Sequence, residues 1–195
     1  SFMHADPIHL IGNMIFLWAF GLVVEGKIGT SRFLLLYMII TLMDGALVQI
    51  PMFIFGAEEG ALGASGVIYG LMAIAVIWAP ENEMDCFYWL FFFFFGTFEV
   101  RIVTLGGFYI FMQVFVLWLS GFAMSSEMLH IIGVMIGAPI GFFMLRQDWV
   151  DCEGWDLVSR NEFLQEYDWL CTERQRQRIK KKQKASRLTL AQQGR

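Results

Sequence analysis

His9, Asn13, Ser65 and His130 are polar side chains set in runs of Phe, Leu, Ile, Val and Gly. His9 and Asn13 are four residues apart, so on a helix one would lie above the other on a single face. Ser65 sits in Gly63-Ala64-Ser65-Gly66, and His130 stands three residues before Gly133. A hydroxyl within hydrogen-bonding range of an imidazole is the arrangement that nucleophilic catalysis needs. Polar groups of this kind inside a membrane span are a functional hypothesis by default.

The surrounding segments read as membrane spans. Of 195 residues, 57% are hydrophobic, twenty are Phe and only 16% are charged, against about 25% charged in a soluble domain. Most of the charges lie beyond Arg146. A span needs roughly 20 apolar residues, and five segments qualify: Ile8–Val24, Phe33–Phe55, Ser65–Ala79, Val103–Phe122 and Leu129–Leu145. The third is short, so its start is expected below the membrane surface, inside protein rather than lipid. Cys86–Phe98 is a wall of aromatics, too short to span and broken by Gly96-Thr97. It is expected to be interfacial or re-entrant, or a hairpin around a Gly-Thr turn. The expected fold class is an all-α polytopic membrane protein, with a membrane domain over 1–146 and a charged tail over 147–195.

Charge sets the expected orientation. Lys27, Arg32, Arg101, Arg146 and the basic tail fall on one side, whereas residues 1–7, 56–64 and 123–128 contain no Lys or Arg. All fourteen basic residues thus share a side, which the positive-inside rule makes the cytoplasm. The first, third and fifth spans then begin outside, and His9, Asn13, Ser65 and His130 share one depth just below the outer surface. A membrane crossing by Cys86–Phe98 would separate Ser65 from His130. No signal peptide precedes the first span. The chain starts at Ser1 without an initiator Met, and an outside start would fit a preceding span.

The tail is acidic over Asp148–Glu173 and basic over Arg174–Arg187, which includes Lys180-Lys181-Lys182. It is expected to be a solvated, partly helical extension that enforces topology, with contact to anionic inner-leaflet lipid as the alternative. Nucleic acid is not an expected partner, because the run lacks a folded module and the net charge is −4. Cys86, Cys152 and Cys171 are odd in number and widely spaced, as unpaired thiols would be.

Glycines supply the means of close approach. Gly66 and Gly70 form a small strip beside Ser65, and Gly133, Gly137 and Gly141 recur every four residues. Such strips let helix backbones pack tightly in lipid, and this one would turn His130 toward Ser65.

His4-Ala5-Asp6-Pro7-Ile8-His9-Leu10-Ile11-Gly12-Asn13 resembles the H-x-x-x-x-H-x-x-x-N signature of rhomboid proteases. Gly63-Ala64-Ser65-Gly66 resembles their G-x-S-G nucleophile motif, and His130-Ile131-Ile132-Gly133 with Gly137 resembles their H-x-x-G-x-x-x-G. Glu25 and Gly29 match the family's E-x-x-x-G turn, and Tyr69 stands where family members stack an aromatic ring on the histidine. The resemblance runs from His4 to Gly141. It departs from the family's six-helix core in the absence of a first span, and it leaves the tail uncovered.

The resemblance implies a rhomboid-like helical bundle and an intramembrane serine endopeptidase. Ser65 would be the nucleophile and His130 the general base, with Tyr69 orienting the imidazole and no acidic third member. The Ser65 N–H, His9 and Asn13 would hold the oxyanion, and Gly63 would support the site. The residues agree with a dyad, since no Asp or Glu is expected to lie within the outer part of any span. The resemblance implies no metal and no cofactor. The substrates would be transmembrane segments of other proteins, entering from the lipid bilayer past Val103–Phe122 as a lateral gate, with Ala123–Met128 capping the cavity. His4 and Glu25 are expected to be structural, Glu25 as a loop-fastening acceptor. One rival is a catalytically inactive rhomboid-like protein that binds transmembrane clients, although such relatives usually lack the serine or the histidine. Another is a metal site built from His4, Asp6 and His9, against which stands the lack of an H-E-x-x-H motif.

Overall fold

A computed structural model of the chain describes residues 7–54, 64–90, 94–121, 125–167, 169–181 and 184. Five helices carry the bundle: α1 (Pro7–Ile28), α2 (Thr30–Ile54), α3 (Ser65–Trp78), α4 (Ile102–Leu119) and α5 (Ser126–Arg146). Strands β1 (Glu83–Leu90) and β2 (Phe94–Arg101) join α3 to α4, and the short helices α6 (Leu157–Arg160) and α7 (Glu162–Gln165) follow α5.

The sequence of α3, SGVIYGLMAIAVIW, has no charge and no polar face. A helix that is apolar all round belongs in the interior, and α1, α2, α4 and α5 pack against this one. Val67, Leu71, Ile74 and Trp78 of α3 are buried together with Phe20, Val24, Ile40 and Ile102. Among the described residues, α1, α2, α4 and α5 are long and apolar enough to cross a membrane, and α3 is shorter. Their outward faces expose Trp18, Leu35, Phe111 and Met135, as lipid contact requires. The α1–α2 turn passes through Gly29 at φ 79. Glu25 fastens that turn, accepting from the Thr30 hydroxyl at 2.6 Å while its carbonyl accepts from the Gly29 N–H at 2.7 Å.

The helical membrane bundle is as expected, and within it Glu83–Leu90 and Phe94–Arg101 pair as antiparallel strands, one of the forms expected for the aromatic stretch and consistent with their Phe, Tyr, Trp and Val content. The turn of this hairpin does not lie at Gly96-Thr97, because Gly96 pairs with Tyr88 and Thr97 with Phe87 inside the ladder. The Tyr88 hydroxyl stands 2.7 Å from where a Gly96 Cβ would be, so the ring occupies the space a side chain would need. The connecting residues 91–93 lie outside the described residues.

The tail is also more ordered than a solvated extension. Val150, Cys152, Val158 and Cys171 are buried in the same core cluster as Trp78 and Leu145. Arg160 pairs with Glu81 at 2.6 Å, and the Arg178 guanidinium grips Asp151 through both oxygens at 2.7 and 3.0 Å. Residues 173–181 are helical. Thr172 and Gln175 exchange hydrogen bonds at the start of that helix in a capping box. Gln175 also donates to buried Asp156 at 3.0 Å. The few apolar residues that anchor the tail are scattered among charges with no helical period, so composition alone hides them.

Candidate active site

The site is built where α3 and α5 meet through their glycines. A Cβ on Gly133 would run into the Gly66 carbonyl, and one on Gly137 would lie 2.5 Å from the Gly70 Cα. Farther along, the Trp78 indole N–H donates to the Gly141 carbonyl at 2.9 Å. Ser65 immediately precedes Gly66, and His130 lies one turn before Gly133. Backbone contact at the glycine pairs therefore carries both side chains to the same end of the bundle, away from the docked tail.

A cavity of about 220 Å³ opens at that end, lined by His9, Asn13, Ser65, Tyr69, Tyr109 and His130 among others. Gly63 and His4 lie outside the described residues. The Tyr69 ring stacks on the His130 imidazole, with centroids 4.3 Å apart and planes 14° from parallel. Asn13 falls on the buried face of α1 with Phe20 and Val24, and is 8% exposed. Its buried Nδ2 finds no acceptor among the described residues. A buried donor left unpaired is costly, and its retention calls for a reason. α3 begins at Ser65 itself, so the Ser65 N–H is among the first-turn amides that a helix leaves without an internal acceptor. The positive end of the helix dipole points the same way. Ser65 and His130 make no direct hydrogen bond in this structure. Such contacts often tighten only when substrate is bound.

Two polar neighbours of these residues escaped the sequence reading. Gln113 of α4 accepts at Oε1 from the His130 Nδ1 side, 2.9 Å away, and donates from Nε2 to the Tyr69 hydroxyl at 2.8 Å. It is the one amide in the apolar sequence of α4, and an isolated polar group in a span was the available signal. The second is Asp44 of α2, which stands at the level of Gly66. Its carboxyl lies against Gly66, with Oδ2 2.7 Å from where a Gly66 Cβ would be, and its buried Oδ1 has no hydrogen-bond partner among the described residues. Asp44 is central in its own helix, but α3 starts so deep that this level coincides with the nucleophile motif.

A model of the Rhomboid domain family matches residues 1–147. The chain belongs to the rhomboid family. With its apolar helices, it is an integral multi-pass membrane protein. It is similar to the Rhomboid protease GluP of Bacillus subtilis (strain 168), at 36% identity over 42% of this chain and 15% of that protein. It is also similar to Presenilin-associated rhomboid-like protein A, mitochondrial, of Danio rerio, at 32% identity over 43% of this chain and 22% of the relative. Rhomboid-like protease 3 of Toxoplasma gondii is 32% identical over 42% of this chain and 32% of its own length. The matches thus span less than a third of each curated relative. No solved structure matches the chain significantly.

Proposed function

We propose that this rhomboid is an intramembrane serine endopeptidase that cleaves transmembrane segments of other membrane proteins. The observation that carries the reading is one cavity lined by Ser65, by the ring-stacked His130 and by Asn13 with its unpaired amide donor. In this reading His130 takes the Ser65 proton as Oγ attacks the scissile carbonyl carbon. The tetrahedral oxyanion is held by the Ser65 N–H, Asn13 and His9. The C–N bond then breaks, the departing amine takes the proton from His130, and water releases the acyl group by the same steps in reverse order. Tyr69 holds the imidazole plane where a triad would use a carboxylate, and Gly63 belongs to the same nucleophile motif.

The cavity end is taken as the outer side and the end bearing Arg146 and the tail as the cytoplasmic side, from the distribution of basic residues. Residues 1–146 then form the rhomboid membrane domain and 147–195 a cytoplasmic segment, whose Val150, Cys152, Val158 and Cys171 dock beneath it.

The test is fluorophosphonate labelling of the protein in detergent, together with cleavage of a model transmembrane substrate. Ser65→Ala should abolish both, and His130→Ala should abolish cleavage and slow labelling. A parent protein that neither labels nor cleaves, yet still binds a transmembrane client, would replace this reading with an inactive client-binding rhomboid.

A further inference from the structure

Gln113 joins three helices at the cavity: it sits on α4, hydrogen-bonds Tyr69 on α3 and meets His130 on α5. An amide oxygen can only accept, so its contact with His130 requires the imidazole proton to be on Nδ1. In this structure the amide gives its Nε2 donor to the Tyr69 hydroxyl at 2.8 Å and turns Oε1 to the histidine. With the proton on Nδ1, the lone pair is on Nε2, the nitrogen left to receive a proton from Ser65. The opposite amide orientation would put the proton on Nε2 and leave no base toward the serine. The ring stack with Tyr69 holds the plane of the imidazole but is indifferent to its tautomer.

We infer that Gln113 is a positioning residue that sets the tautomer of His130, acting as a neutral third member behind the Ser65–His130 pair. This rests on the protease reading above. Because α4 carries the amide, the correct tautomer is held only while α4 is docked against α5. The other titratable groups facing His130 are His9 from α1, Tyr69 from α3 and Glu127 from its own helix, with Tyr109 of α4 across the cavity.

Gln113→Met keeps the length of the side chain and removes both hydrogen bonds. Losing the tautomer preference should lower kcat about tenfold or more, with KM little changed. Gln113→Glu presents only acceptors to the imidazole, so it keeps the Nδ1 proton and favours the imidazolium. The neutral base then forms at higher pH, and the acid limb of the kcat/KM profile should move upward. Both variants are also read by the pH dependence of fluorophosphonate labelling of Ser65 in the full protein. If Gln113→Met matches the parent in kcat and labelling, or if Gln113→Glu leaves the acid limb in place, Gln113 has no positioning role. If the parent itself is not labelled, the protease reading fails first, and the two failures are distinguished.

Discussion

The Cα of Gly70 occupies the space in which a side chain at Gly137 would begin: a Cβ built there lies 2.5 Å away and overlaps the Gly70 carbonyl. The separation of α3 and α5, and with it the reach between Ser65 and His130, is thus set by the absence of side chains. Gly137→Leu should push α5 outward. Overpacking of this kind costs about 1–3 kcal/mol, whereas a misplacement of about 1 Å can cost roughly a hundredfold in rate. Substrate cleavage should therefore fall more steeply than thermal stability in detergent. Full activity in this variant would break the link between the glycine strip and the site.

Asn13→Ala removes the buried Nδ2 donor. An oxyanion donor acts in the transition state, so kcat should fall by about 10²–10³ with little change in KM. Removing an unpaired buried group should not reduce, and can raise, thermal stability. A variant with normal kcat and raised KM would assign Asn13 to substrate binding instead.

Asp44 and Gly66 should be energetically coupled. Gly66→Ala drives its methyl to 2.7 Å from Oδ2 and 2.9 Å from Oδ1 of Asp44, and should destabilise by about 1–3 kcal/mol. In an Asp44→Ala background the same change should cost less, with a coupling of about 0.5–3 kcal/mol. Thermal unfolding of the four proteins measures it. Equal costs in both backgrounds would show that the alanine is resisted by something other than Asp44.

The tail should loosen in acid. The Arg178 guanidinium holds the Asp151 carboxyl down from 3.8 to about 2. A depressed carboxyl contributes stability that is complete above its unfolded value and is lost as pH falls toward its folded one. Trp155 and Trp169 in the tail should therefore report a change in fluorescence as pH drops from about 4 to about 2. Arg178→Ala should weaken that dependence. An unchanged profile in the variant would mean another group governs the transition.

Much of the site was legible because its parts recur at fixed spacings. His9 with Asn13, the Gly-Ala-Ser-Gly run, and His130 with its following glycines each declare a helix face or a helix start. The helical period also shows that Gly133, Gly137 and Gly141 share a face, though the partner becomes visible only in three dimensions. Asp44 and Gln113 stood out in the sequence only as isolated polar groups in spans, with no sign of what each would face. Their importance depends on the depth and rotation of α2 and α4 relative to α3, which local spacing does not encode. The tail misled because its charges outnumber the apolar residues that dock it, Val150, Cys152, Val158 and Cys171 with Leu164 and Leu170 beside them, while ion pairs and a capping box fix the backbone.

The brevity of α3 has a consequence for how the protein is made. Its 14 residues rise only about 21 Å, at 1.5 Å per residue, against a hydrocarbon core of about 30 Å. Alone in the bilayer it would leave its first-turn amides, the Ser65 N–H among them, facing lipid tails. The helix that shields and completes its nucleophile end, α5, leaves the ribosome some sixty residues later. Nascent α3 would then have to wait at the translocon or at the headgroup level until α5 arrives, so Ser65 and His130 come together only after α5 has been synthesised.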